Sequence, residues 1–307
     1  MWGIITKEEI KRKYCLEIDK IIKNEDSTDG NVYMLTGLSN KYIMKLYDEE
    51  NHAISMVNIH KDLKNGGMNV PDIILNKENQ GYSLFENGKY CVIYSFLNGE
   101  EIGNLFINKD TSIKIAKEIK NIHKITTGNN KYNLPTLPFE IDGVFNRYSI
   151  LHFDLTRCNI FYNENWQSQI GFIDFDDAKY GPTVVDVAIA ISLLYFSKSR
   201  GVDTEGLKAF LNEYYDNEET RKNEMPYLKN CALKWINYIM DNNQFDSSTT
   251  ESFEIRKNLI ETGMNFKKQW QICHCSFKIE SIEALYFLAI WYIKDVCISV
   301  CPVSYTE

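Results

Sequence analysis

The apolar positions change period twice along the chain. Thr6 followed three residues later by Glu9 has the spacing of a capping box and predicts a first helix reaching to about Ile22. Alternation then takes over. Residues 31–35 and 41–47, rich in Val, Tyr and Ile, predict a hairpin around 36–40. A helical stretch follows from Glu49 to Leu63 and stops at Gly66 and Gly67. Residues 70–75 predict a strand, and 81–85 with 89–97 predict a second hairpin whose Asn87-Gly88 is a tight-turn pair. The first third therefore reads as five strands with one inserted helix.

Beyond Leu97 the helical period dominates. Residues 110–125 carry Ile115, Ile119 and Ile122 on one stripe. Two short strands near 159–162 and 169–175 interrupt the helices and flank a turn at 163–165. Helices resume at Val184, near Glu205, at Pro226, where proline suits a helix start, and at Ser281. No internal repeat, low-complexity tract or proline-rich linker interrupts the order. The expected organisation is α+β: a strand-rich part, residues 1–97, and a helical part, residues 98–307, joined near Asn98-Gly99.

Composition narrows the partners. The 307 residues are 44% hydrophobic and 25% charged, as in ordinary globular chains, with a net charge of −8. No basic block offers itself to a nucleic acid. The start, Met1-Trp2-Gly3-Ile4, lacks the charged-then-apolar order of a secretory signal, and the most apolar run, 284–293, is too short to span a bilayer. A cytoplasmic chain with no membrane partner is expected. The eight cysteines show no disulfide framework, and Cys273, Cys275, Cys297 and Cys301 lack zinc-ligand spacing.

The chemistry concentrates in His152-Phe153-Asp154-Leu155-Thr156-Arg157-Cys158-Asn159 and Gly171-Phe172-Ile173-Asp174-Phe175-Asp176-Asp177. Phosphoryl transfer needs a carboxylate for the attacking hydroxyl, oxygen ligands for magnesium, and a lysine against the phosphates. Asp154 and Asn159 supply a base and a metal ligand on one loop. The strand pair after Asn159 returns the chain so that Asp174 can face it.

This spacing resembles the catalytic loop of the aminoglycoside phosphotransferase and choline kinase superfamily, small-molecule relatives of protein kinases. The resemblance extends upstream and downstream. Tyr42-Ile43-Met44-Lys45-Leu46 resembles the family's lysine strand, and Asp29-Gly30-Asn31 its nucleotide loop. Val92 to Leu97 followed by Gly99 resembles the hinge strand, and Gly181-Pro182 then Asp186-Val187-Ala188 the segment after the metal aspartate. The resemblance implies a protein-kinase-like two-lobed fold with a five-stranded antiparallel sheet. It implies Asp154 as catalytic base, Asn159 and Asp174 as Mg2+ ligands, and Lys45 on the α- and β-phosphates of ATP or GTP. Ser95 and Leu97 would meet the base through backbone groups, Gly30 would line the phosphates, Asp186 would brace the catalytic loop, and His152 would support it.

Some positions depart from that pattern. Phe153 stands where the family has glycine, and Thr156 where it commonly has histidine. Arg157 adds a cation that could face the γ-phosphate or pair with an acidic surface residue. The helix after Lys45 should offer it a glutamate, but Met56 and Asn58 occupy the middle of that helix, leaving Glu50 or no partner. His52 and His60 are expected on the helix surface, and His123 in the core.

The implied function is transfer of a γ-phosphoryl group to a hydroxyl of a small molecule. An aminoglycoside-like acceptor suits the acidic balance, with Asp176, Asp177, Glu251, Glu254, Glu261, Glu280 and Glu283 as candidate attractors of a polycation. Trp270 and the aromatic run 286–292 would wall the acceptor site. The alternatives are a homoserine, choline or sugar kinase of the same fold, or a silent nucleotide-binding module. A protein kinase is disfavoured, because 174–186 leaves no room for a long activation segment.

Overall fold

The computed structural model describes residues 5–24, 31–103, 107–163, 169–199 and 201–263. Gly30, Trp270, the aromatic run 286–292, the cysteines from 273 onward, Glu280, Glu283 and the expected helix at Ser281 lie outside them.

The first helix, α1, covers Lys7–Tyr14 and stops well short of Ile22. Thr6 caps it by accepting the Glu9 N–H at 3.1 Å, but Glu9 accepts the Glu86 N–H at 2.7 Å instead of closing the box. Cys15 ends the helix in the left-handed region, φ 59°, with its N–H on the Lys11 carbonyl. The chain that follows becomes strand β1, Lys20–Lys23, whose paired isoleucines suit a pleated surface.

An antiparallel sheet of five strands results. Its members are β1, β2 (Val32–Thr36), β3 (Lys41–Tyr47), β4 (Ser83–Leu84) and β5 (Tyr90–Ser95), in the order β1-β2-β3-β5-β4. The expected strand at 70–75 is not among them. Pro71 has no N–H to give a ladder, and the segment meets β5 through an isolated Ile73–Tyr94 bridge, the Ile74 N–H on the Ile93 carbonyl at 2.8 Å, and bonds between Asp72 and Ser95. The count of five was right; β1 is the member that the helix prediction hid.

Strand alternation sets what each sheet face carries. Leu35, Met44, Leu46, Cys91 and Ile93 form one core with Ile10 and Tyr14 of α1. Residues one position along, Lys45 and Tyr47 on β3 and Val92 and Tyr94 on β5, must face the other way. That second face is the one met by α2, Glu50–Asn65, where Met56, Ile59 and His60 are buried and Gly66 ends the helix.

The helical part is organised around α4, Thr183–Leu194, which is buried all round. Against it pack α7, Leu228–Asn242, which follows the short α6, Glu218–Glu224, and strand β7, Tyr148–Leu151, itself paired with β10, Lys179–Pro182. The stripe Ile115, Ile119 and Ile122 of α3, Lys109–Ile125, is fully buried, and α3 packs on α5, Thr204–Tyr214. Each such side chain contributes about 1.5–3 kcal/mol of burial. A three-stranded sheet of β6 (Glu100–Glu101), β8 (Ile160–Asn163) and β9 (Gln169–Phe172) carries the chain from Asn159 out and back toward Asp174.

The two parts meet at Gly171 on β9. A Cβ there would lie 2.7 Å from Asn69 Nδ2 and 2.9 Å from Leu97 Cδ2, so only glycine lets the post-α2 segment and the hinge come this close. The Phe172 N–H donates to the Asn69 carbonyl across the same contact, at 3.1 Å. Among the described residues, no helix is long and apolar enough to cross a membrane.

Candidate active site

The loop holding Asp154 is fixed from beneath by Asp186, the single charged residue of α4. Its carboxylate is fully buried and accepts three hydrogen bonds: from the His152 N–H (2.9 Å), from the Phe153 N–H (3.0 Å), and from His123 Nε2 (3.1 Å). Burial raises the carboxyl's pKa, but the His123 hydrogen bond and charge outweigh it and hold it below the ordinary value. His123 is buried as expected, its other ring nitrogen on Tyr214 Oη at 2.6 Å. His152 Nε2 donates to the Ile173 carbonyl at 2.9 Å, which ties the loop to the strand that delivers Asp174. The Ile173 N–H returns to the Asn159 carbonyl at 3.1 Å.

The departure at Phe153 has a physical reading. Its φ is +67°, a region that suits glycine and costs a bulky residue on the order of 1–3 kcal/mol. The ring is buried, stacked on Phe139 at 6.3 Å and tilted against Tyr238 at 6.1 Å, with Lys179 Nζ 5.4 Å from its centre. Packing therefore holds an aromatic side chain in a conformation that its backbone alone would disfavour. Asp174 is likewise left-handed, φ +65°.

Asp154 and Asn159 come together: Asn159 Nδ2 donates to the Asp154 carbonyl at 3.0 Å and to its Oδ2 at 2.8 Å. With the amide nitrogen spent on Asp154, the Asn159 side chain has its oxygen left for another partner. The Asp154 carboxyl has a raised pKa, mainly from burial, with the Asp177 and Asp174 charges adding to it.

Lys45 reaches the same site from β3. Its Nζ lies 2.8 Å from Asp174 Oδ1 and 2.7 Å from Asp176 Oδ2. Burial lowers the ammonium's pKa, but the Asp176 and Asp174 charges prevail and hold it well above the usual value. Asp174 shows the reciprocal effect: burial raises its pKa, and Lys45 more than reverses that. Of the two possibilities left for a Lys45 partner on α2, Glu50 or none, the second holds. Glu50 accepts instead from Tyr82 Oη at 2.9 Å, and the partners come from the segment after β9.

His60 is a correction on α2. It is buried, not on the surface, with its ring 4.8 Å from Tyr94 and 5.5 Å from Phe175 and Nδ1 on the Met56 carbonyl at 2.9 Å. Burial pushes its pKa down to about 4. Arg157 donates to the Gly103 carbonyl at 3.2 Å and to the Leu194 carbonyl at 2.6 Å, where the latter closes the end of α4. His52 is exposed, against the Tyr47 ring.

At the hinge, Ser95 gives its N–H to the Asp72 carbonyl and takes the Asp72 N–H on Oγ, both at 2.8 Å, so a base could use only its carbonyl. Leu97 lies against Gly171. Asp176 is the residue whose partners sequence reasoning missed: it stood among the candidate attractors of a polycation, whereas the alternation that aims Lys45 and Tyr47 to one face brings both onto it. Glu251, on the helix α8, Ser247–Gly263, which packs on α7, pairs with Lys198.

Among the described residues, no three His, Cys, Asp or Glu side chains converge into a metal cage. One amide and one carboxylate are what magnesium asks of a protein when phosphates and water complete its shell. The Asp174 side chain is 44% exposed and the Asn159 side chain has its oxygen to offer, so the pair fits that ion.

Comparison with known proteins bears on this geometry. Residues 135–221 match the model of the phosphotransferase enzyme family. No curated protein matches the sequence. Among solved structures, an amicoumacin kinase in complex with AMP-PNP, Ca2+ and Ami is similar over 83% of this chain and 92% of its own, at 14% identity and TM-score 0.65. An aminoglycoside phosphotransferase from Alicyclobacillus acidocaldarius is similar over 89% and 97%, at 13% identity and TM-score 0.62. A microcompartment-associated aminopropanol kinase is similar over 81% and 93%, at 13% identity and TM-score 0.61. At these identities the likeness speaks for the fold, which is that of small-molecule kinases. The family match falls on the segment that carries the candidate chemistry, from before Asp154 to beyond Asp186.

Proposed function

We propose that the protein moves the γ-phosphoryl group of a magnesium-bound ATP or GTP onto a hydroxyl of a small molecule. The observation that carries this is that Lys45 pairs with Asp174, Asn159 bonds to Asp154, and His152 ties the Asp154 loop to Ile173, the residue before Asp174. Residues 1–97 act as the nucleotide lobe and 98–307 as the lobe with the catalytic loop and acceptor site.

Asp154 accepts the proton of the attacking hydroxyl. Its raised pKa suits that task, because a more basic carboxylate takes the proton more readily. Asn159 and Asp174 hold Mg2+, which supplies charge neutralisation on the phosphates. Lys45 faces the α- and β-phosphates, Gly30 lines them, and the Ser95 carbonyl and the Leu97 backbone meet the base.

The acceptor we favour is an aminoglycoside-like amino alcohol. The kinases of similar fold named above include ones for amicoumacin and aminopropanol, and Asp177 stands close enough to Asp154 to raise its pKa. A zwitterionic acceptor such as homoserine is the second reading. Lys179, its Nζ 5.4 Å from the centre of the Phe153 ring, is a cation that would receive a carboxylate.

The test is transfer of labelled phosphate to a panel of aminoglycosides, amino alcohols, homoserine, choline and sugars at low and high salt. Asp154→Ala should lower turnover by about 10² or more and leave nucleotide affinity near wild type. Turnover within tenfold of wild type would remove Asp154 from the mechanism. A cationic acceptor should lose apparent affinity as salt rises, because exposed attractions are screened beyond about 10 Å at 0.1 M. A salt-independent neutral acceptor would reverse the preference between the two readings.

A further inference from the structure

Resting on the nucleotide assignment of Lys45 above, we propose that Asp176 is the residue that positions Lys45, in place of an acid on the helix that follows the lysine strand. A lysine on a strand needs an anion to hold its long chain in one direction, and α2 has no acid to give. Its two acidic residues are committed elsewhere: Glu50 to Tyr82, and Asp62 to Lys131 and Tyr132 at 2.7 and 2.6 Å. His60 fills the buried surface of α2 next to Tyr94, and it is an uncharged neighbour at neutral pH.

The two carboxylates on Lys45 have different futures. Asp174 is the metal ligand of the proposed function, so magnesium and the ammonium compete for its oxygens. Asp176 is braced by a second contact that has nothing to do with the metal. Its Oδ2 takes Lys45 at 2.7 Å, and its Oδ1 takes the Tyr47 hydroxyl at 2.9 Å. Tyr47 shares the face of β3 with Lys45, two residues along, and its oxygen sits 3.0 Å from Tyr94 Oη on β5. The sheet thus fixes both the lysine and, through Tyr47, the carboxylate that aims it. The Lys45 side chain is 13% exposed and that of Asp176 25%, a shielded setting in which an ion pair holds geometry better than on an open surface. When Asp174 is drawn to a metal, Asp176 remains to hold the ammonium toward the phosphates.

A thermodynamic cycle tests this, using calorimetric titration of the full chain with Mg-ATP. Lys45→Met and Asp176→Asn should each weaken binding about tenfold. The double variant should bind no more weakly than Lys45→Met alone, because Asp176 acts through the lysine. The Mg2+ concentration for half-maximal nucleotide binding should stay at the wild-type value in Asp176→Asn and rise in Asp174→Asn. Asparagine keeps the shape and the acceptor for Tyr47; should Asp176→Asn nevertheless unfold, Tyr47→Phe, which frees one carboxylate oxygen, should weaken Mg-ATP binding by about two- to threefold and only when Lys45 is present. An Asp176→Asn loss of equal size in the Lys45→Met background, or a raised Mg2+ requirement, would make Asp176 a metal ligand and overturn the proposal. Unchanged Mg-ATP affinity in Lys45→Met would instead bring down the nucleotide assignment of Lys45 on which the proposal rests.

Discussion

The two ends of the candidate site are held by opposite means. Under Asp154, a fully buried carboxylate, Asp186, spends its charge on two backbone N–H groups and a histidine, and no solvent reaches it. At Lys45 the charges are partly open to solvent, and one of the two carboxylates on the lysine is a group that a metal would claim. The first arrangement fixes a loop permanently. The second holds a side chain through contacts that can be exchanged when ligands arrive. On the proposed function, a base has to be ready at one place, whereas a lysine that meets phosphates has to release a carboxylate as the metal and nucleotide come in.

If this contrast is right, the largest effect of a single substitution should come from the buried end. Asp186→Ala leaves two loop N–H groups and His123 without their acceptor, and should destabilise the chain by about 3–5 kcal/mol in urea unfolding. A loss under 1 kcal/mol would mean that the loop is held by packing alone.

His60 gives the next effect, on the helix side of the lysine. Its folded pKa, about 4, lies below the unfolded value near 6.5, so the unfolded chain binds more protons between those two pH values. Stability is fully present above about 6.5 and is lost as pH falls toward 4. His60→Phe should reduce the fall in unfolding free energy between pH 7 and 4.5 by roughly 2–3 kcal/mol. The same pH dependence in both proteins would show that the ring is not excluded from water.

The smallest effect concerns Asp154, and it has the opposite sign. A carboxyl whose folded pKa is raised contributes stability at acid pH that disappears as pH rises through the folded value. At pH 7 its buried charge is therefore a cost, and Asp154→Asn should raise the melting temperature by about 2 °C while removing turnover. At a pH below the ordinary carboxylate range the gain should vanish. A gain that persists there, or a lower melting temperature at pH 7, would mean that the charge is not what strains this loop.

The sequence by itself determined what depends on near neighbours. Asp154 and Asn159 are five residues apart in one loop, so their spacing alone brings the amide onto the carboxylate. Alternation on β3 settles that Lys45 and Tyr47 share a face, and the stripe on α3 settles which side is buried. The helix stop at Cys15 was not legible, since the left-handed turn there involves no glycine or asparagine, and the strand that follows took part of the predicted helix. Phe153 stood out in the sequence only as a departure; that it sits at positive φ, propped by Phe139 and Tyr238, is a fact of packing. The partners of Lys45 lie 129 and 131 residues away, and the pairing follows from where β9 ends relative to β3, a distance no local pattern encodes. The burial of His60 was decided in the same way. Its place on α2 is set by helical period, but whether that side of the helix meets water or Tyr94 and Phe175 depends on chain segments far along the sequence, because burial is a property of what packs above a residue and not of the residue itself.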